Sequence, residues 1–224
     1  MMLILLLILK GMFRNIINLI KYDKFFRLLR VLANRSGNIL NLDDISRDVG
    51  VERETVESWI SVLKSTYIIF TVQPYYNNFG KRIIKSPKLY FCDTGILCRL
   101  LDINDETTLL KNNNFGKIFE NYVLSEILKH KFNCSSNMHF YYWRDSNGNE
   151  IDLILEKGSK FEAIEIKSSD KINKNSAKSV LWFKKSVKED ADIKIISRDK
   201  SSLNDIQNVN IEKLHDYLKE NFLR

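Results

Sequence analysis

The chain commits itself to a sheet through one hairpin. The runs Glu150-Ile151-Asp152-Leu153-Ile154-Leu155-Glu156 and Phe161-Glu162-Ala163-Ile164-Glu165-Ile166-Lys167 are joined by Lys157-Gly158-Ser159-Lys160. Gly158-Ser159 suits a two-residue type II′ loop, whose first central position needs a positive φ. That register places Asp152 opposite Glu165 and Glu150 opposite Lys167. Side chains alternate along strands, so Asp152, Glu165 and Lys167 share one face, while Ile151, Leu153, Leu155, Ile164 and Ile166 take the other. The apolar face requires cover from packed helices.

The charged face admits two readings. Carboxylates held opposite one another repel, and a hard divalent ion such as Mg²⁺ relieves that repulsion. Lys167 can then orient an attacking water or steady a charged transition state. Equally, half-exposed hairpins carry Glu and Lys on their wet face, and Glu150 opposite Lys167 is an ordinary cross-strand pair. A second segment adds weight to the first reading. From Gly116 to His130 the spacing predicts a helix, with Phe119, Val123, Leu124, Ile127 and Leu128 in its apolar stripe. Glu120 falls inside that stripe, and a buried carboxylate requires a partner.

With 224 residues, 44% hydrophobic and 28% charged, the chain can build one or two domains with proper cores. Two prolines and eight glycines leave little room for long linkers. A net charge of +7 fits a polyanionic partner. Two stretches focus that charge: Lys81, Arg82, Lys85 and Lys88, and the lysines at 171, 174, 178, 184, 185 and 188. Each reads equally as a solvated face or a phosphate contact. Cys92, Cys98 and Cys134 form no framework and suit a reducing cytoplasm. His130, Cys134 and His139 have the wrong number and spacing for a zinc site, and a surface loop is the expectation there. The apolar run Met1–Leu9 is too short to span a bilayer, which takes roughly 20 residues. It reads as part of a packing helix over residues 1–22, the remnant of a longer protein, and no membrane partner is expected.

From Asp23 to Asn34 the pattern predicts a helix, closed by a turn at Ser36-Gly37-Asn38. A short helix, a turn at Gly50 and a second helix with Val56, Trp59, Ile60 and Leu63 inward have helix-turn-helix spacing. Strand-like runs from Tyr67 to Gln73 and from Arg82 to Phe91 follow as a wing. The second helix exposes Glu52, Glu54 and Glu57, which phosphates would repel, so packing or protein contact is the expected role. The basic wing is the better nucleic-acid candidate. In Tyr142-Trp143-Arg144-Asp145, Trp143 reads as core; Arg144 reaches a phosphate or pairs with Asp145.

Two resemblances follow from these motifs. Gly116-x-x-Phe119-Glu120-x-x-Val123, then Asp152 on a strand and Glu165-x-Lys167 on the next, resembles the PD-(D/E)XK nuclease superfamily, in particular its Holliday-junction resolvase branch. The resemblance implies that Glu120, Asp152 and Glu165 are catalytic, metal-binding acids for Mg or Mn, with Lys167 the catalytic lysine. Ile151 stands where that superfamily often has proline. The second resemblance runs over roughly residues 15 to 200, through Gly80-Lys81-Arg82, Lys85-Ser86-Pro87-Lys88-Leu89-Tyr90-Phe91, Asp93-Thr94-Gly95, Gly148-Asn149-Glu150-Ile151-Asp152 and Ile164-Glu165-Ile166-Lys167-Ser168. It is similar to the C-terminal region of a bacterial and archaeal family of AAA-type ATPases, which implies an ATPase domain or subunit as partner. No Gly-x-x-x-x-Gly-Lys-Ser/Thr occurs in the chain, so it is not expected to bind ATP itself.

Together these give an expected α/β (α+β) fold: a winged helix-turn-helix over 23–100, then a PD-(D/E)XK nuclease-like domain over 105–224. Its central sheet would contain the hairpin, with the Glu120 helix on one face and a lysine-rich helix near 174–187 beside it. A terminal helix at 211–222 would close the core. DNA is the expected partner, contacted by Lys81, Arg82, Lys85, Lys88, Arg144, Lys171, Lys174 and Lys178. The alternative is a non-catalytic DNA- or protein-binding module serving an ATPase.

Overall fold

A computed structural model describes residues 22–75, 86–134, 137–145, 148–169, 172, 177–186, 190–198 and 209–222. The apolar run before Tyr22, and Lys81, Arg82, Lys85, Lys171, Lys174 and Lys188, lie outside the described residues.

Three helices come first: α1 (Tyr22–Asn34), α2 (Leu42–Val49) and α3 (Arg53–Ser65). Asn41 begins α2 by accepting the Asp43 and Asp44 amides, two of the donors that a helix start leaves unsatisfied. Phe25 meets Trp59 edge to face, with centroids 5.3 Å apart, in a core shared with Leu28, Leu32, Ile45 and Leu63. Strands β1 (Ile69–Pro74) and β2 (Lys88–Phe91) pair antiparallel, Ile69 opposite Phe91. The first strand starts at Ile69 rather than at the expected Tyr67, because Tyr67 sits at φ 55°, outside the strand region. After α4 (Thr94–Leu100) and α5 (Glu106–Lys111), α6 (Phe115–Asn133) runs through the middle of the molecule.

The remaining strands are β3 (His139–Arg144), β4 (Glu150–Lys157), β5 (Lys160–Lys167), β6 (Asp192–Ser197) and β7 (Asn210–Lys213). All seven join in the order β2-β1-β3-β4-β5-β6-β7. The pair expected as a wing is therefore one end of the main sheet, joined through parallel pairing of Gln73 and Pro74 with Tyr141 and Tyr142. Strands β5, β6 and β7 are parallel, as a mixed α/β sheet with covered faces permits.

Helix α6 and the terminal α8 (Leu214–Phe222) cover one face, where Val123, Leu124, Ile127, Tyr217 and Leu218 pack on Leu153, Leu155, Ile164 and Ile166. The other face carries α7 (Lys178–Ser186), whose Val180 and Phe183 meet Ile154, Ala163 and Ile195. Each such aliphatic side chain withdrawn from water stabilises the fold by roughly 1.5–3 kcal/mol. Helix α7 thus lies across the sheet from α6, not beside it. Residues 211–213 also differ from expectation. They form part of an edge strand parallel to β6, and the helix begins only at Leu214.

The hairpin has the expected register, from Leu153 opposite Ile164 to Lys157 opposite Lys160, with Gly158 at φ 63°. Its facial pattern is corrected at one residue. The β3–β4 register shifts between Tyr141↔Ile154 and Trp143↔Ile151, so Asp152 and Leu153 together oppose Tyr142. That bulge inverts the alternation and turns Ile151 onto the α7 face beside Trp143. Among the described residues no helix is long and apolar enough to cross a membrane.

Candidate functional site

Glu120 enters the site from α6, a helix buried on most of its perimeter. Only 5% of Glu120 is exposed. Its Oε1 accepts from the Tyr90 hydroxyl at 2.6 Å and from Lys88 Nζ at 3.3 Å, and its Oε2 from Lys117 Nζ at 3.2 Å. Lys88, 1% exposed, also pairs with Glu150, which in turn lies 3.6 Å from Arg144. Burial works to raise the Glu120 carboxyl, but the two ammonium groups and the Tyr90 hydroxyl outweigh it and hold the acid below its usual range. Burial likewise works against the Lys88 ammonium, yet Glu120, Asp152 and Glu150 more than offset that and raise it. Burial, then Glu120, push the Tyr90 hydroxyl well up, so it remains a donor.

The acids on the strands are treated differently. Asp152, at the bulge, accepts the Ile166 amide on Oδ2 at 2.9 Å. Glu165, 7% exposed, takes Lys167 Nζ on Oε1 at 2.5 Å, while its buried Oε2 has no hydrogen-bond partner among the described residues. Burial raises Asp152 well above the usual carboxylate range, and the charges of Glu165 and Glu120 add to the effect against the opposing Lys88. Burial raises Glu165 too, with Lys167 opposing and Glu120 and Glu150 adding. The Lys167 ammonium loses by burial and gains more from Glu165, Asp152 and Glu120, for a net rise. These mutual influences place Glu120, Asp152, Glu165 and Lys167 in one electrostatic cluster.

Within it the expected ligand trio divides. Both Glu120 oxygens are held by internal donors, and among the described residues no three histidine, cysteine or carboxylate side chains converge closely enough to enclose a metal ion. Asp152 and Glu165 have the donor chemistry for a hard divalent cation: neighbouring carboxylates, one Glu165 oxygen without a hydrogen-bond partner among the described residues, and both acids raised by burial and then by neighbouring negative charge.

Of the expected phosphate contacts, Lys88 is corrected. It is enclosed between Glu120 and Glu150 with its ammonium over the Tyr142 ring, and it cannot reach a polyanion outside. Glu150, expected opposite Lys167, is taken by Lys88 and Arg144, and Lys167 by Glu165. Arg144 is part-exposed and Lys178 exposed. Trp143 is core, stacked on Trp182 at 5.2 Å. The three cysteines are free, and Cys134 and His130 both meet Phe222.

Sequence reasoning missed Tyr90, Lys117 and Asn121. Asn121 accepts from Ser36 at 2.8 Å and from the Phe91 amide at 2.7 Å, and donates to the Phe91 carbonyl at 3.0 Å. It thereby ties α6 to β2 and to the turn after α1. That turn sits against the site: a Cβ on Gly37 would lie 3.0 Å from Lys117 Cδ and 3.5 Å from Glu120 Oε2. The available signal was Asn121 and Ser125 beside Glu120, polar residues on a helix too apolar to leave them in water.

Residues 5–107 match a model described as a domain of unknown function (DUF8612), and residues 115–215 a second such domain (DUF4143), known as AAA-ATPase-associated. Uncharacterized proteins of Mycobacterium bovis and Mycobacterium tuberculosis are each 30% identical over 141 residues, 63% of this chain and 31% of each relative. The chain thus spans about a third of the length of these curated relatives. No solved structure matches it.

Proposed function

We propose that the chain is a divalent-metal-dependent phosphodiester hydrolase acting on DNA, with Mg or Mn held by Asp152 and Glu165. The observation that carries this reading is the under-compensated pair itself. Glu165 is buried and Asp152 beside it part-buried; the one ammonium bonded there, Lys167, is on Glu165 Oε1, and Glu165 Oε2 has no hydrogen-bond partner among the described residues. A bound divalent ion would supply Lewis acidity toward a phosphoryl oxygen and lower the pKa of a water. Lys167, part-exposed at the edge of the cluster, would orient that water or steady the charge that develops in the transition state. Glu120, with Lys88, Lys117 and Tyr90, positions these groups without touching substrate. On this reading residues 23–100 form a winged helix whose strands join the main sheet, and residues 105–224 a nuclease-like domain.

The test is cleavage of branched, single-stranded and duplex DNA with Mg²⁺ or Mn²⁺. Asp152→Asn and Lys167→Met should each lose about 10²-fold or more, the scale of losing a positioned charge or proton-transfer group. Cleavage by Asp152→Asn at the wild-type rate would exclude this site.

A second reading has its own support. The complete internal neutralisation of Glu120 suits a non-catalytic module attached to an ATPase, as does the AAA-associated match. At the start of α3, Glu52, Glu54 and Glu57 face solvent and Arg53 is occupied by both oxygens of Asp43, a surface suited to protein rather than phosphate. Calorimetric titration of Mn²⁺ into the wild type separates the two: heat that disappears in Asp152→Asn supports the hydrolase, and no heat supports the module.

A further inference from the structure

Strands β1 and β3 pair at Gln73 with Tyr141 and Pro74 with Tyr142, at the C-terminal end of β1. Beyond those pairs a groove of about 470 Å³ opens between them, bounded by Lys64 and Tyr67 on one side and by Lys131 and Phe132 of α6 on the other. Ile69, Phe70, Thr71, Val72 and Gln73 line its strand side, and among the described residues no carboxylate lines it. Two rings stand out of it into solvent, Tyr67 at 68% exposure and Phe132 at 56%, edge to face with centroids 6.2 Å apart.

Tyr67 stands there at a conformational cost. Helix α3 ends with the Tyr67 amide on the Lys64 carbonyl and the Ile68 amide on the Leu63 carbonyl, the pair of bonds that places a left-handed residue after the cap. Helix α2 meets the same need with Gly50 at φ 75°, whereas α3 uses Tyr67 at φ 55°. A tyrosine in that conformation is disfavoured, and its ring gains little from burial here. A protruding ring kept at backbone expense points to a use for the ring.

We propose that this groove binds single-stranded nucleic acid, with bases stacked on Tyr67 and Phe132 and phosphates at Lys64 and Lys131. Exposed rings among cations, without acids, are the chemistry of strand-binding channels. A duplex keeps its base faces hidden, and an apolar peptide gains nothing from two lysines. Lys131 also offsets the negative end of α6, which would otherwise repel a phosphate. The groove lies about 18 Å of helix away from Glu120, reckoned from Glu120 to Phe132. It uses none of the strand acids, so it stands without the hydrolase reading.

Fluorescence anisotropy with a labelled oligothymidylate, at low salt in EDTA, tests it. Tyr67→Gly and Phe132→Ser should each weaken binding by roughly five-fold or more, the least that a lost stacking contact removes. Neutralising both lysines, Lys64→Gln with Lys131→Gln, should reduce the slope of log affinity against log salt by about 1.4. Tyr67→Gly relieves the backbone, so its melting temperature should hold or rise, and weakened binding then cannot be ascribed to unfolding. The proposal is overturned if the wild type does not bind, if loss of either ring leaves affinity unchanged, or if duplex DNA or polyglutamate competes as well as unlabelled oligothymidylate. Because no divalent ion is present, those failures leave the hydrolase reading to its own cleavage assay.

Discussion

Glu120 and the pair Asp152–Glu165 belong to one cluster, yet the fold equips them in opposite ways. Around Glu120 each oxygen has a donor, the almost wholly enclosed Lys88 with Tyr90 on one and the part-exposed Lys117 on the other. Around the pair the part-exposed Lys167 ammonium bonds Glu165, Lys88 only partly offsets the charge of Asp152, and among the described residues one Glu165 oxygen is left over. Burial costs both places alike; only the first is compensated from within. An enclosed counter-ion makes an acid part of the scaffold, whereas an acid short of positive charge is available to a ligand.

Removing Lys88 tests the scaffold side most severely. Lys88→Met leaves Glu120 and Glu150 without their shared cation and should cost about 3–5 kcal/mol in urea unfolding, with part recovered in the double variant Lys88→Met/Glu120→Gln. A neutral Lys88→Met would erase the contrast. Next comes the ligand side. If the pair takes a divalent ion, Mn²⁺ at a hundred times its Kd should stabilise the wild type by about 2.7 kcal/mol, and the gain should vanish in Glu165→Gln.

Smaller effects sharpen the same contrast. Asp152→Asn keeps an acceptor for the Ile166 amide but removes a poorly compensated charge, so without metal it should gain about 0.5–2 kcal/mol, as substitutions that relax a functional site often do. The pH dependence follows in sign. Asp152 and Glu165 are raised in the folded state, which then binds more protons than the unfolded chain. Their contribution is therefore present below the ordinary carboxylate pKa and is lost as pH rises through the folded values. Glu120 is lowered and acts oppositely, losing its contribution as pH falls through its folded value. Thermal melts across pH should show the first loss in the wild type and not in Asp152→Asn/Glu165→Gln. Least of all, Lys117→Met removes a part-exposed partner and should cost under about 1 kcal/mol.

The hairpin was legible because its information is local: Gly158-Ser159 fixes the loop, and the loop fixes the register. The bulge at Asp152-Leu153 was not, since one extra residue leaves no periodic trace, and Ile151 accordingly turned up on the opposite face. Glu120 could be singled out as a carboxylate in an apolar stripe, but its partners lie elsewhere in the chain. Lys88 read as one charge in a basic run because a run is judged by its neighbours in sequence. Only the packing of β2 against α6 reveals the Lys88 ammonium facing inward, toward an acid 32 residues away. The resemblance to a nuclease named four residues whose charges act on one another in the fold; the unequal supply of cations among them is a tertiary property.

Asn121 grips the Phe91 backbone from both sides while holding Ser36, so it works as a rivet through three separate stretches of chain. Cutting the polypeptide between the two matched models, after residue 107, would strip Tyr90 and Lys88 from Glu120 and lay bare the flank of β3. Whatever chemistry resides at the strand acids is therefore owned jointly by both halves, and should be sought in the uncut chain.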